Sequence, residues 1–497
     1  MTRLDERRIL LVHPLGYQAD AAAADIARKA NLMPPLGLAS IAAYLEERGI
    51  KADIIDCFAS PLTAERRIEN YLRLFRPGWI GFSCTTSSFL DGVRLAARAR
   101  QLLPGIRTLC GGPHVSALRE KLLADYPEFD CFIAGEGEET LYELLQQPDR
   151  AHAIPGLVYR SLEGGTAFAG YRQPGVDLDS LPFPAYGKLA GFPQAYRLPI
   201  FNYPKAPNTS CISSRGCPYT CSYCDRSVFR RTFRCNSAPY LYRHLEYLKD
   251  RFGIRHVNFY DDQFTFNRER VVDFCRLLLS RPLNMSFNCA VRAEHIDADL
   301  LRLMKKAGCW MISLGIENGD SELLSRHRQK VDLKFMAEQV RLIKSCGIRV
   351  KGLFMVGLPG ETPATIERSI AYLRSLPIDE LNVAKFTPFP GSPLYRQIHD
   401  FGSFSEEWPK MDCMSFQFLP DGMSREELEE KFLEFYKAHF KRPRTLANYL
   451  AMLWQSPDSW LRFAGNLGSF LRFARHSDQR LVNRQKSVAG TRSGAQR

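Results

Sequence analysis

Cys217, Cys221 and Cys224 stand at C-x3-C-x2-C on a loop that follows an apolar, strand-like run, and no other stretch constrains the chain so tightly. Thiolates are soft ligands, and three on one short loop can hold three corners of an iron–sulfur cluster. A closed tetrahedral zinc site needs a fourth protein ligand. Cys211 and Cys235 are the nearest spare thiols, but neither extends the loop at a ligand-like spacing. The spacing therefore predicts a [4Fe–4S] cluster with one iron left open to a small molecule. The chain has 14 cysteines, and the others are scattered without motif spacing. That usage fits a reducing compartment and thiolate chemistry, not a disulfide framework.

Tyr223 stands just before the last of these cysteines, and the loop resembles the signature of radical S-adenosylmethionine (SAM) enzymes. The resemblance implies that the open iron takes the amino and carboxylate groups of SAM. Reduction of the cluster then cleaves SAM to a 5′-deoxyadenosyl radical, which removes hydrogen from an unreactive carbon.

Before this loop, residues 8–147 alternate apolar runs with amphipathic segments, which predicts a doubly wound parallel sheet of the Rossmann-like (flavodoxin-like) kind. Ligands bind such sheets at the carboxyl ends of the strands. Those ends read Ser83-Cys84-Thr85, Gly111-Gly112-Pro113-His114 and Gly135-Glu136-Gly137-Glu138. Glycines admit a flat, bulky ligand against the backbone, and hydroxyls can bond its amides. The series resembles the cobalamin-binding domains in front of many radical SAM enzymes, and implies Ser83, Thr85, Gly111, Gly112, Gly135 and Glu136 as cobalamin contacts. The D-x-H-x-x-G motif that supplies a histidine to the lower face of cobalt is missing. Leu32-Met33-Pro34-Pro35-Leu36-Gly37 holds no histidine, so the expectation is cobalamin without a histidine lower ligand, or a vestigial domain.

Residues 148–205 read as a connector rich in Gly, Pro and Tyr, with one strand near Gly156–Tyr159. Over 206–396, six strand–helix units predict an open (β/α)6 barrel with its site at the strand ends. The family resemblance assigns SAM contacts there: Asp262 after strand two and Arg292 after strand three. It adds Glu317 in a GIE-type turn after strand four and Gly357 in the strand-five motif. An arginine fork suits a carboxylate, though a surface ion pair is the plain alternative for Arg292.

Residues 397–476 read as a helical region, with helices over Arg425–Phe440, Thr445–Trp454 and Asp458–Arg475, and 477–497 as a basic, disordered tail. The formal net charge is +13, and Tyr436–Arg497 alone carries twelve Lys/Arg against two Asp. A basic helix bearing Trp460, Phe463, Leu467 and Phe470 suits either a cap on the barrel or an anionic bilayer. No signal-peptide pattern and no run of about 18 apolar residues stands in the sequence, so a cytoplasmic chain is expected, with peripheral contact at the inner membrane face left open.

The resemblance as a whole implies a cobalamin-dependent radical SAM enzyme, a C-methyltransferase in the first instance. An oxidative cyclase or hydroxylase of the anaerobic porphyrin-cyclase type and a non-catalytic carrier are the alternatives. It also implies a small-molecule or lipid-like substrate and an external electron donor such as flavodoxin or ferredoxin. No nucleic-acid partner is expected, and a tRNA methylthiotransferase fits less well, because that family's N-terminal cysteine set is missing: Cys57, Cys84, Cys110 and Cys131 sit in or beside strands.

Overall fold

The computed structural model describes residues 4–16, 32–161, 163–173 and 177–469. Strands β1 (Asp5–His13), β2 (Lys51–Asp56), β3 (Pro77–Ser83), β4 (Arg107–Gly111) and β5 (Cys131–Ile133) pair in parallel in the order 2-1-3-4-5. Helices α1 (Leu36–Glu46), α2 (Ala64–Phe75), α3 (Phe89–Leu102), α4 (Pro113–Asp125) and α5 (Glu138–Gln146) connect or follow them. Pro77 to Phe82 are all buried, as a central strand covered on both faces requires. The strand order reverses direction beside β1, so a crevice opens over the carboxyl ends of β1 and β3.

The sheet does not stop at residue 147. β6 (Leu157–Arg160) and β7 (Thr166–Phe168) add to it antiparallel, beyond β5. The expected connector therefore begins about twenty residues late, because its first part completes the edge of the sheet.

The second sheet is a half-barrel of six parallel strands: β8 (Asn208–Cys211), then, after the short pair β9 (Ser214–Arg215) and β10 (Arg234–Cys235), β11 (His256–Phe259), β12 (Ser286–Val291), β13 (Cys309–Glu317), β14 (Arg349–Val356) and β15 (Glu380–Lys385). Its helices are α6 (Ala238–Phe252), α7 (Arg268–Ser280), α8 (Ala298–Lys306), α9 (Ser321–His327), α10 (Leu333–Ser345) and α11 (Pro363–Ser375). Each starts where the sequence offers a capping oxygen. Ser237, Asn267, Asp297, Asp320, Asp332 and Thr362 accept a hydrogen bond from a backbone N–H of the first turn. Glu317 lies in β13 itself, so the GIE segment is strand and not the turn after it.

The C-terminal region opens with a hairpin, β16 (Gly402–Phe404) and β17 (Phe418–Pro420), before α12 (Arg425–Phe440), α13 (Pro443–Gln455) and α14 (Pro457–Gly465). Between the hairpin strands, Trp408 packs edge-on against His114 and Phe89 of the first domain, at 4.5 and 5.8 Å. Trp460 and Phe463 face inward on Phe201. Arg462 donates to Leu198 O and the Tyr203 hydroxyl, and Asp458 accepts from the same hydroxyl. α14 is thus a cap on the barrel, and these aromatics are not a bilayer face. Phe470, Arg472, Arg475 and the tail from 477 lie outside the described residues. Among the described residues no helix is long and apolar enough to cross a membrane.

Candidate active site between the two sheets

The cysteine loop is suspended from the carboxyl end of β8 by buried polar contacts. Asp261, at the end of β11, accepts from Ser213 N at 2.6 Å, Ser214 N at 3.1 Å and the Ser213 hydroxyl. Arg270 donates to Ser213 O and Oγ from the other side, at 3.2 and 2.8 Å. Of the Asp261–Asp262 pair, then, Asp261 positions the loop. Asp262 has no hydrogen-bond or ion-pair partner among the described residues. Burial and the neighbouring Asp261 hold its carboxyl above the ordinary carboxylate range.

Within the loop, Ser222 is fixed on three sides. Its N–H donates to His327 O at 2.9 Å, its carbonyl accepts from Leu394 N at 3.1 Å, and its hydroxyl lies 3.0 Å from His327 Nδ1. His327 Nε2 is 2.9 Å from Pro359 O. Since a carbonyl only accepts, Nε2 carries the proton and Nδ1 receives that of Ser222. His327, which has no motif around it in the sequence, so ties the cysteine loop to the turn after β14. Gly391 is required for a second tie, since a Cβ there would meet Asp225 Oδ1 at 2.1 Å.

Three thiols, Cys217, Cys221 and Cys224, are collected here. Burial pushes Cys217 up and Cys224 to about 12, with Asp262 and the sister cysteines adding to the latter. Thiols this close resist joint ionisation until a cation compensates. Arg292 is one such cation. It is buried, not a surface residue: its Nη1 lies 4.0 Å from Cys221 Sγ, its guanidinium stacks 3.9 Å over Tyr219, and it pairs with Glu294 at 2.9 Å. Cys211 is fully buried and Cys235 sits on β10, so neither extends the set.

Glu317 and Tyr223 meet behind the loop. Burial raises both, Glu317 adding to the shift of Tyr223, while Arg328 and Arg292 offset part of the cost at Glu317. Tyr223 packs against the apolar cluster that includes Leu358, Phe386 and Leu394. Gly357 has φ +93°, but a Cβ there would meet the Phe416 ring at 3.1 Å. The Phe416 ring therefore fills the space on the Cβ side of this glycine. Its N–H donates to Glu361, as does Leu358 N–H, and Asn318 Nδ2 donates to the other carboxyl oxygen at 2.7 Å. Burial still wins over these donors and raises Glu361 to about 7.

Two cavities lie side by side here. One, of about 480 Å³, is lined by Cys217, Cys224, Asp262 and Phe389 of the barrel and by Thr85, Thr86 and Ser87 of the first domain. The other, of about 320 Å³ and largely apolar, is lined by Ser83, Gly111, Gly112, Gly135 and Glu136 at the first-domain strand ends. Pro113, Val228 and Phe229 border both. Ser83 and Thr85 therefore face different chambers, and Thr85 Oγ1 is engaged by Ser87 and Ser88 at 3.2 and 3.1 Å. At Gly112 (φ +106°) a Cβ would strike Cys84 O at 2.4 Å, so glycine there allows close strand approach. His114 lies under this turn, fully buried, with Nδ1 3.3 Å from Thr86 Oγ1, and burial lowers it to about 3.

Glu136 is held by protein. It pairs with Arg215, at 2.5 Å, and with Arg234, while Arg215 also pairs with Glu138 at 2.6 Å. Ser40 completes the group by donating to Glu138 at 2.7 Å. Arg215 lies two residues before Cys217, so this buried cluster fastens the cysteine loop to the turn after β5. Burial works against both charges, but the pairing keeps Glu138 below its ordinary value and Arg215 above. The partners are 77 residues apart, and pairing over such a distance leaves no local sequence signal.

Residues 23–145 match the family model described as B12 binding domain, and residues 211–373 match that of the Radical SAM superfamily. An uncharacterized methyltransferase of Pyrococcus horikoshii, PH0819, is 27% identical over 420 residues, covering 83% of this chain and 89% of its own length. The anaerobic magnesium-protoporphyrin IX monomethyl ester cyclase of Rubrivivax gelatinosus is 27% identical over 442 residues, covering 87% and 77%. In fold, the chain is similar to the cobalamin-dependent SAM radical enzyme OxsB, with a TM-score of 0.69 at 16% identity over 94% of this chain and 75% of that one. The two models match in the order in which the two sheets follow one another, and the chain belongs to the radical SAM enzymes that carry an N-terminal B12-binding domain.

Proposed function

We propose that the chain is a cobalamin-dependent radical SAM methyltransferase acting on an unactivated carbon of a small-molecule or lipid-like substrate. The observation that carries this reading is the shared cavity: cluster-loop cysteines and first-domain hydroxyl residues line one space of about 480 Å³. The donor set fits a cluster. Three thiols on one loop leave one corner without a protein ligand, and a guanidinium beside Cys221 offsets thiolate charge. The largely apolar chamber over the first-domain strand ends suits the flat, bulky body of a cobalamin.

On this reading Cys217, Cys221 and Cys224 hold the cluster, and Asp262 faces the amino group of SAM. Tyr223, Arg292 and Glu317 shape the surroundings of that site, and Gly357 acts through the turn it allows. Ser83, Gly111, Gly112 and Gly135 line the cobalamin chamber, with Thr85 facing the substrate side and Glu136 acting as a clamp on Arg215. When bound, cluster and SAM supply a carbon-centred radical by one-electron reduction, and cobalamin supplies a transferable methyl group. Phe389 and Val228 give the cavity part of its apolar wall, and Asp261 and His327 hold the loop. An external one-electron donor and a cytoplasmic location belong to the same reading.

Oxidative cyclisation or hydroxylation is the second reading, supported by the equal identity to the Rubrivivax cyclase. SAM carrying a deuterated methyl group decides between them. Label in the product of a turnover establishes methyl transfer, whereas SAM cleavage with an oxidised, unlabelled product establishes the alternative.

A further inference from the structure

The C-terminal helices present an apolar face that the barrel does not cover. On α13, Leu446, Leu450, Leu453 and Trp454 recur at i, i+4, i+7 and i+8, which places them on one side of the helix. The other side is fastened to the barrel: Asn448 donates to Asp379, Tyr449 donates to Glu380, and Thr445 and Met452 are buried. The outward residues are open to solvent, with Trp454 81% and Leu450 57% exposed. Leu461 of α14, a helix that packs on α13, is 74% exposed as well. Single exposed leucines need no explanation, but five large apolar side chains on two adjoining helices form a patch.

The segment that carries this patch bears charge of nearly one sign. Lys437, Lys441 and Arg444 are exposed, and Arg442 donates to Leu373 O and Leu376 O. The single acid between 437 and 469 is Asp458, which faces inward to Tyr203. Beyond Ser469 the sequence adds seven further Lys/Arg against Asp478.

We propose that this face docks on an anionic lipid bilayer. Leu446, Leu450, Leu453, Trp454 and Leu461 enter the boundary between headgroups and acyl chains, and the flanking basic side chains lie against lipid phosphates. A second copy of the chain fits this face poorly, because it would set the same basic residues against one another. The residues differ from those the sequence periodicity singled out: Trp460 and Phe463 are consumed by the cap. Asp379 and Glu380 lie at the amino end of β15, away from the cysteine loop, so docking here tethers the protein and leaves the cavity mouth turned away from the lipid. The docking face shares no residue with the cofactor cavities, so either reading can fail without the other.

The test uses full-length protein, sedimented with vesicles of phosphatidylcholine alone or mixed with phosphatidylglycerol. Binding is expected to the anionic vesicles, to fall with added salt, and to weaken about tenfold or more in Leu450→Gln/Trp454→Gln. A charge variant, Lys437→Gln/Lys441→Gln/Arg444→Gln, is expected to weaken it independently. Both sets are outward-facing, so thermal midpoints within a few degrees of the parent confirm folding. The proposal is overturned if the parent protein binds neither vesicle, or if the apolar double variant binds as the parent does. Sedimentation velocity showing a dimer that this double variant dissolves overturns it in favour of a second copy.

Discussion

The two ends of the half-barrel are made by the same strands and treat charge in opposite ways. At the amino end, Glu380 is shared by Arg349 and Tyr449, and Asp379 by Lys344, Asn448 and Val350 N–H. Lys351 donates to Asn202, whose carbonyl takes Asn288 Nδ2. At the carboxyl end, Asp262 has no hydrogen-bond or ion-pair partner among the described residues, three thiols crowd one loop, and half-buried Glu317 lies near Arg328 and Arg292 without pairing with either. One end shares its acids among several protein donors. The other is held incomplete by a rigid surround, and that incompleteness is what cofactors and substrate would fill.

The contrast is broken most sharply at the cysteines. Cys217→Ala, Cys221→Ala or Cys224→Ala is each expected to reduce SAM cleavage by more than about a thousandfold, with thermal unfolding nearly unchanged. Production of 5′-deoxyadenosine by anaerobically reconstituted protein measures this. Cys211→Ala and Cys235→Ala are expected to retain the iron. At the closed end the effects reverse. Glu380→Ala leaves Arg349 and Lys351 buried without their acid and is expected to cost about 3–5 kcal/mol in denaturant unfolding. The fraction that stays folded is expected to load its iron normally.

Much of this architecture was legible before any coordinates. The expected helix Arg425–Phe440 matches the observed bounds, because a Ser424 capping box marks its start. The cysteine loop and the glycine turns carry their spacing in the chain itself. What escaped was whatever depended on distant partners. Periodicity cannot say which side of an all-round apolar helix packs, so α13 and α14 were open to either orientation. Arg215 lay in full view beside the cysteines, yet its acids sit in another domain. The GIE segment read as a turn, whereas Arg328 donates to the Gly315 carbonyl and β13 continues to Glu317.

Two smaller perturbations sharpen the comparison. His327→Ala strands the Ser222 hydroxyl and Pro359 carbonyl and is expected to cost about 1–3 kcal/mol of SAM affinity. A broadened or shifted resonance of the reduced cluster is expected with it, partly restored by His327→Gln. An unchanged spectrum would make the tie merely structural. Glu361 gives the smallest effect and one with a sign. Its folded pKa, about 7, lies above its ordinary value, so its contribution is present at low pH and lost as pH rises through 7. Between pH 5 and 8 the parent is expected to lose about 1–3 kcal/mol of stability that Glu361→Gln does not. Paired denaturant titrations check it.

The central claim is that the cysteine loop and the first-domain strand ends serve one cavity. Electron paramagnetic resonance on protein loaded with both cluster and Co(II) cobalamin tests it most directly. If the two sites share that space, reducing the cluster will broaden or split the cobalt signal, and the Cys221→Ala protein, lacking the cluster, will give the unbroadened cobalt spectrum. Cobalt and cluster signals that simply add, each unaffected by the other, would contradict the account.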